Sequence, residues 1–311
     1  MPFWVSLLAM TLALLIDRRW GEPPAWAHPV VAMGRYLGWL GPRLTTWPPV
    51  AAFLGGALAW CLGGTVVVVL AWSAQRWLSE CPWYVQVPLL GLVLKPLLAW
   101  RMLRDEVASV ESALGESLSA GRAQLQRLVS RDVSQLDEVA VRESAIESLA
   151  ENLNDSLVAP LLWFAVGGLG AAALYRFANT ADAMWGYRGR YEWAGKWAAR
   201  ADDILSWIPA RVTAWLLCLS AGAMPAWSAI TRQARATPSP NGGWPMGVMA
   251  LLLNVRLSKP GVYVLNESAQ LPQARHTAQA LAWSQRAVWW AAALSAVLIM
   301  LPACWAWGGI R

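Results

Sequence analysis

From Val50 to Trp72 the chain runs 23 residues without a charged side chain. A helix rises about 1.5 Å per residue, so a run of this length crosses the roughly 30 Å hydrocarbon core of a bilayer. Met1–Ile16, Trp83–Trp100 and Val288–Trp307 read the same way, the first of them short but usable. Met1–Ile16 has no basic segment before it, and Asp17, Arg18 and Arg19 follow it with no small-residue cleavage signal. It therefore reads as a retained span and not as a signal peptide. Two further apolar runs are broken. Leu157–Leu174 contains Pro160 and Gly167-Gly168-Leu169-Gly170, and Ile208–Ile230 contains Pro209, Arg211, Gly222 and Pro225. Such segments are often re-entrant or packed against a site. The expected fold is an all-α polytopic integral membrane protein. It has about four to six spanning or re-entrant apolar helices plus amphipathic cytoplasmic helices, and 1–311 forms a single membrane domain.

Composition excludes the soluble alternative. Only 14% of residues are charged and mean hydropathy is +0.38, whereas soluble domains carry about 25% charged residues. Many of the 23 Trp sit at the ends of apolar runs, among them Trp72, Trp77, Trp83, Trp100 and Trp207, as interfacial anchors do. The net charge of +6 comes mostly from single Arg beside apolar runs, which reads as membrane anchoring and not as a nucleic-acid footprint. Four scattered Cys without C-x-x-C and only two His argue against zinc, a disulfide framework or a Ser-His triad. A metal here would be hard and oxygen-bound.

Charge also sets the expected topology. Arg18, Arg19, Arg35 and Arg43 place the segment after the first span in the cytoplasm, and alternation then puts 101–156 there too. A full crossing by Leu157–Leu174 would leave Arg176, Arg188, Arg190, Lys196 and Arg200 outside, so a helical hairpin is expected there. The polar stretches 101–156 and 175–207 would then share the cytoplasmic side. Residues 101–156 read as amphipathic helices, the last opened by a capping-box pattern, Ser134-Gln135-Leu136-Asp137.

Three clusters could carry chemistry. Glu143, Glu147, Glu151 and Asp155 recur every four residues, which on a helix makes one carboxylate stripe, and Asn152 and Asn154 add oxygen ligands. Like charges at this spacing repel by a few tenths of a kcal/mol per pair. The stripe is therefore either a water-facing edge that tolerates the repulsion or a Mg²⁺ or arginine-lined site. The second cluster is Asn179-Thr180-Ala181-Asp182, followed by Gly186-Tyr187-Arg188-Gly189-Arg190-Tyr191. Its glycines allow close backbone approach and its arginines offer forked donors for phosphate, although a membrane-edge turn fits equally well. No G-x-x-x-x-G-K-[ST] loop occurs. The third, Arg200-Ala201-Asp202-Asp203 through Arg211, brackets paired aspartates with arginines at a membrane boundary, and a local ion-pair network is its plain alternative. His28, in a Pro-rich loop, is by itself more often structural than catalytic.

Taken in order, these pieces resemble the CobD/CbiB family of cobalamin biosynthesis, the adenosylcobinamide-phosphate synthases. The matching stretches are Gly21-Glu22-Pro23…His28-Pro29-Val30…Gly34-Arg35, Ser130-Arg131-Asp132, Glu147-Ser148-Leu149-Ala150-Glu151-Asn152 with Asp155, and Tyr175-Arg176…Asn179-Thr180…Asp182…Gly186-Tyr187-Arg188. Ala199-Arg200…Asp202-Asp203…Trp207…Pro209-Ala210-Arg211 and Pro238-Ser239-Pro240-Asn241 complete the set. The resemblance implies an ATP- and Mg²⁺-dependent amide ligase of the bacterial cytoplasmic membrane with its site facing the cytoplasm. Its substrates would be adenosylcobyric acid, aminopropanol phosphate or ethanolamine phosphate, and ATP. The lipid bilayer surrounds it, nucleic acid has no part, and contact with other late cobalamin-assembly enzymes or self-association is compatible with it.

By the same resemblance, Glu147, Glu151, Asp182, Asp202 and Asp203 are catalytic carboxylates, and Glu147, Glu151 and Asp155 hold the metal. Substrate or ATP falls to His28, Arg131, Asp132, Asn152, Asn179, Thr180, Tyr187, Arg188, Arg200, Arg211, Ser239 and Asn241. Glu143 lies outside the matched motif and is expected to tolerate Gln. The chain departs from the family pattern at Val133, Leu153, Asn154 and Ser206, at Thr237 and Met246 where His and Glu are usual, and over 256–270, which lacks a Gly-rich pattern. A non-catalytic AmpE-like membrane regulator is the competing reading, yet the central acidic and amide residues are all present.

Cysteine-accessibility labelling in intact cells tests the topology. Cysteines placed at Ser119 and Gly189 should be protected together from an impermeant reagent. Labelling of one without the other would break the shared-side arrangement.

Overall fold

The computed structural model describes residues 1–187 and 189–308, with side chains through Leu301. Helices α1 (Phe3–Trp20), α2 (Pro29–Leu44), α3 (Pro49–Leu78) and α4 (Trp83–Leu94) follow one another, with a short 3-10 turn at Lys95–Leu97. Next come α5 (Trp100–Glu116), α6 (Leu118–Leu125), α7 (Glu138–Leu153), a π-turn at Asn154–Val158, α8 (Ala159–Trp185) and α9 (Lys196–Leu205). The chain ends with α10 (Trp207–Ala221), α11 (Trp227–Ala236), α12 (Gly243–Leu253), strands β1 (Leu257–Lys259) and β2 (Tyr263–Leu265), and α13 (Ala274–Gly308).

Four helical stretches are long and apolar enough to cross a membrane: Pro49–Leu78, Trp83–Glu116, Glu138–Trp185 and Ala274–Leu301. The bent pair Lys196–Leu205 and Trp207–Ala221, at 47°, makes up to five. The all-helical polytopic fold expected from the apolar runs is thus the one observed. Helix α1 has the 18 residues of a short span but carries Asp17, Arg18 and Arg19 in its last turn.

Packing groups the chain into two compact units. The first comprises 1–99, 159–206 and 292–311. Here α1 packs on α4, and α2 and α3 pack on α8. Small residues bring α3 close to its neighbours: a Cβ on Gly56 would lie 2.0 Å from the Ala194 carbonyl oxygen, and one on Gly63 would lie 2.6 Å from Phe177. Lys95 is only 3% exposed, and its ammonium sits 2.8 Å from Glu22 and 3.4 Å from Asp17.

Within the apolar run Leu157–Leu174, α8 consists of two helical segments joined by a kink in which Gly167 and Gly168 leave helical geometry. Gly168 has φ +67°, which residues with a Cβ adopt only under strain. The amide freed by the kink is met from α3, where Gln75 Oε1 accepts from Leu169 N at 2.6 Å.

The second unit comprises 100–158 and 207–291. Helix α7 lies at its centre, packed by α5, α6, α12 and β1, and residues 141–150 are all buried. The expected capping box does not form. Ser134 is held in a loop by Asp132, whose carboxylate accepts from Ser134 N at 2.8 Å and from Ser134 Oγ at 3.0 Å. The cap of α7 is Asp137, which accepts from Ala140 N at 2.8 Å.

Gln75→Ala removes the acceptor from a buried amide, a loss of about 1–3 kcal/mol. Gly168→Ala brings a Cβ to 2.6 Å from Gln75 Oε1 on a positive-φ backbone. Both variants should melt earlier than the parent in detergent, whereas Gln75→Glu, which keeps an acceptor oxygen, should melt closer to it. Equal melting for all would dissociate the kink from stability.

Candidate functional site

Three charged residues on α7 are buried, and two of them are fully committed. Arg142 binds Glu111 through two nitrogens at 2.8–3.1 Å and reaches Glu138 at 3.0 Å, while Thr277 Oγ1 donates to Glu111 at 2.7 Å. Glu143, 0% exposed, pairs with Arg256 at 3.0 Å and accepts from Ser258 Oγ. This overturns the solvent-edge reading of the stripe at its first member, and with it the expected tolerance of Gln. Glu143 anchors β1 to α7, a role that no local spacing announces.

Glu147, one turn on, is 5% exposed, and its Oε1 is buried with no hydrogen-bond partner among the described residues. It lines a polar cavity of about 160 Å³ together with Arg131, Glu151, Asn152, Lys259 and Tyr263. Arg131 reaches over α7 to donate to Ser144 Oγ, and its buried Nε has no hydrogen-bond partner among the described residues. Asn152 spends its amide nitrogen on the Ser148 carbonyl at 3.0 Å. The Tyr263 phenol faces the Glu147 carboxylate, with the Met246 sulfur 3.7 Å away. Burial, and then the nearby Glu147 and Glu151 charges, push the phenol well above its ordinary range, so it stays protonated.

Asp155 leaves the stripe. The π-turn that begins at Asn154 ends the α-helical register after Glu151, and Asp155 Oδ1 accepts from Asn154 Nδ2 at 2.8 Å. Asn154 in turn accepts from Thr213 Oγ1 at 3.0 Å. Among the described residues no three His, Cys, Asp or Glu side chains converge as a metal-holding group. A Mg²⁺ held by Glu147, Glu151 and Asp155 together does not fit this arrangement.

Arg211, Ser239 and Asn241 form a second cluster in the same unit. The Arg211 guanidinium lies over Trp207 and Trp244, 4.4 and 4.7 Å from their centroids. It donates to Trp207 O at 2.7 Å, Asn241 Oδ1 at 2.8 Å and Pro240 O at 3.3 Å. Ser239 Oγ accepts from the Asn241 and Gly242 amides at 3.2 Å. This turn borders the cavity, since a Cβ on Gly242 would lie 3.1 Å from Glu151 Oε1.

The remaining predicted residues lie in the first unit. His28 caps α2, with Nδ1 accepting from Val30 N at 3.2 Å and Nε2 lying 3.0 Å from Glu22. An acceptor Nδ1 leaves the proton on Nε2, so both ring nitrogens are engaged within the fold. Burial alone would raise the Glu22 carboxyl, but hydrogen bonds from His28 and Lys95 hold it below its usual range. Asn179 Oδ1 accepts from Arg176 at 3.4 Å, and Thr180 Oγ1 donates to Arg176 O at 2.7 Å. Gly186 is pressed against Asp182, whose Oδ1 would be 2.2 Å from a Cβ there. Arg200 pairs with Asp203 at 3.8 Å, with Asp202 alongside on α9, and Tyr187 is exposed. Arg188 lies outside the described residues.

Sequence reasoning missed Lys259, Tyr263 and Ser144 at the cavity, and Lys95 in the first unit. Lys95 alone had a readable signal, as a lone ammonium at the end of the apolar run from Trp83.

Fold and site together define an all-helical polytopic membrane protein with a small, polar, doubly charged cavity on a buried acidic helix. Residues 10–295 match the family model described as CobD/CbiB protein, and the chain belongs to that family. It is 40% identical over 264 residues to a probable cobalamin biosynthesis protein CobD of Thermococcus kodakarensis, covering 83% of this chain and 84% of that one. It is 39% identical over 297 residues to the cobalamin biosynthesis protein CobD of Stutzerimonas stutzeri, covering 91% and 95%. With the Rhodobacter capsulatus protein of that name the figures are 36%, 95% and 97%. No solved structure matches the chain.

Glu143→Gln should lower the melting temperature and loosen the β1–β2 hairpin, because the partly exposed Arg256 loses its charged partner, and a hydrogen bond to a charged group is worth about 1.5–3 kcal/mol. Amide exchange at Leu257–Leu265 reads the loosening. Unchanged protection there would show that the pair is dispensable.

Proposed function

We propose that this chain is a membrane-bound ligase of cobalamin biosynthesis. It uses ATP to join the propionate carboxylate of adenosylcobyric acid to the amine of aminopropanol phosphate or ethanolamine phosphate. The observation that carries this reading is the buried Glu147 carboxylate facing a cavity that also holds Arg131 and Lys259.

In the proposed route the propionate oxygen attacks the γ-phosphorus, the β–γ bridging bond breaks and ADP leaves. The amine then attacks the acyl-phosphate carbonyl, and phosphate departs as the C–N bond forms. The amine enters as an ammonium and must lose a proton to attack, and a further proton leaves as the amide forms. Glu147 is the buried carboxylate suited to accept the first. The rest of the work is positioning and charge stabilisation, for which fixed arginines and amides suffice. Mg²⁺ enters this reading as the counterion of the nucleotide. ATP and the corrinoid are cytoplasmic, which places the reaction on the inner face of the bacterial cytoplasmic membrane.

The test is ligation by the full chain in detergent, with ATP, adenosylcobyric acid and aminopropanol phosphate supplied. One ADP and one phosphate should appear per adenosylcobinamide phosphate formed. Glu147→Gln should reduce turnover at least a hundredfold while still inserting into membranes. A parent protein that leaves the corrinoid mass unchanged would overturn the ligase reading.

A further inference from the structure

We infer that the cavity bounded by Arg131, Glu147, Glu151, Asn152, Lys259 and Tyr263 is the seat of the phosphorylated amine. Its ligand is a small zwitterion whose phosphate meets Arg131 and Lys259 and whose ammonium meets Glu147 and Glu151. This assignment rests on the ligation reading for the chemistry that follows binding, and on the cavity for the binding itself.

Size favours a small ligand. A volume of about 160 Å³ corresponds to roughly five waters at about 30 Å³ each, below the roughly 300–1,000 Å³ of pockets for drug-sized ligands. A phosphate monoester with a two- or three-carbon aminoalkyl arm is on that scale, whereas a nucleotide or a corrinoid is not.

Charge narrows the choice further. The walls carry two cationic and two carboxylate side chains, so an anion alone would lie against Glu147 and Glu151, and a simple amine against Arg131 and Lys259. A zwitterion satisfies both sets at once. Tyr263 contributes a proton donor and no charge.

The strongest indication is the contrast along α7. Arg142 and Glu143 are bound on every side within the fold, whereas Glu147 Oε1 and Arg131 Nε are buried beside the cavity with no hydrogen-bond partner among the described residues. The Tyr263 phenol and the Arg131 charge already face Glu147, and a ligand carrying both signs would supply partners to the two atoms that remain. Asn152, beside Glu147 and Glu151, adds an uncharged polar group to the wall.

Isothermal titration on the full chain in detergent, with neither ATP nor corrinoid present, tests the assignment. The probes are aminopropanol phosphate, ethanolamine phosphate, n-propyl phosphate (which lacks the amine) and ATP. The parent should bind both aminoalkyl phosphates at least tenfold more tightly than propyl phosphate. Glu147→Gln, which preserves shape, should erase that preference. Lys259→Ala, at the exposed mouth, should weaken all three phosphate monoesters about tenfold, and neither variant should change ATP affinity. Variants that weaken ATP and spare the aminoalkyl phosphates would hand the cavity to the nucleotide and overturn the inference, as would a parent that shows no preference for the amine. Ligation whose amine KM is unmoved by Lys259→Ala would overturn the seat and leave the ligase standing. Amine-dependent binding without any turnover would do the reverse.

Discussion

A carboxylate taken out of water is tolerated only where something replaces its hydration, and this requirement organises the second unit around α7. Arg142 answers it with Glu111, which Thr277 further steadies, so the base of α13 is tied to α5 and α7 through one guanidinium. Glu143 answers it with Arg256 and Ser258, and the β1–β2 hairpin is thereby fixed to the same helix. Once fixed, that hairpin presents Lys259 and Tyr263 beside Glu147. The paired Arg142 and Glu143 therefore build the wall against which Glu147 stands. A structural ion pair and the cavity-lining Glu147 sit one helical turn apart, and the first positions the surroundings of the second.

The first unit meets the same constraint by pairing its buried charges with one another. Asp17 and Glu22 converge on Lys95, and Glu22 also holds His28 as the cap of α2. Two carboxylates, an ammonium and an imidazole thus tie α1, the loop after it and the turn after α4 together in a low-dielectric setting where each charge needs the others. The kink in α8 follows a related rule, for the polar group exposed is a backbone amide and the partner is the neutral Gln75 side chain. Such breaks persist in apolar surroundings when a neighbouring helix satisfies the freed group.

Much of this fold is readable from the chain because apolar runs of about 20 residues leave few alternatives. Val50–Trp72 sits inside α3, and the glycine pair in Leu157–Leu174 marks the site of its kink. The form of that break is not local information, since it depends on Gln75, some 94 residues earlier. The stripe of Glu143, Glu147, Glu151 and Asp155 shows the same division. Helical spacing correctly puts the first three on one face, but burial decides that Glu143 is a clasp, and the π-turn removes Asp155. Ser134 satisfied a capping pattern, yet the nearer Asp132 captured both its amide and its hydroxyl. Lys259 and Tyr263 carry no signal of their own, because they enter the cavity through the register of a short hairpin with α7.

Three of the departures from the CobD/CbiB pattern, at Met246, at Thr237 and over 256–270, fall at one place in the fold. Met246 places its sulfur 3.7 Å from the Tyr263 hydroxyl and its methyl 3.2 Å from where a Cβ on Gly242 would stand. Thr237 donates to the Ser239 carbonyl at 3.0 Å, inside the turn whose Gly242 rests against Glu151. The hairpin that supplies Lys259 and Tyr263 falls within 256–270, the third departure. Thr237, Met246 and the hairpin within 256–270 thus gather on one flank of one cavity, while four residues that match the family, Arg131, Glu147, Glu151 and Asn152, form the other. A thioether is a weak acceptor with no charge, so at this flank the phenol's strong acceptor is Glu147, and replacing Met246 by a carboxylate would add a third negative charge to the cluster. With Met there, the cavity keeps two cationic and two carboxylate side chains in balance.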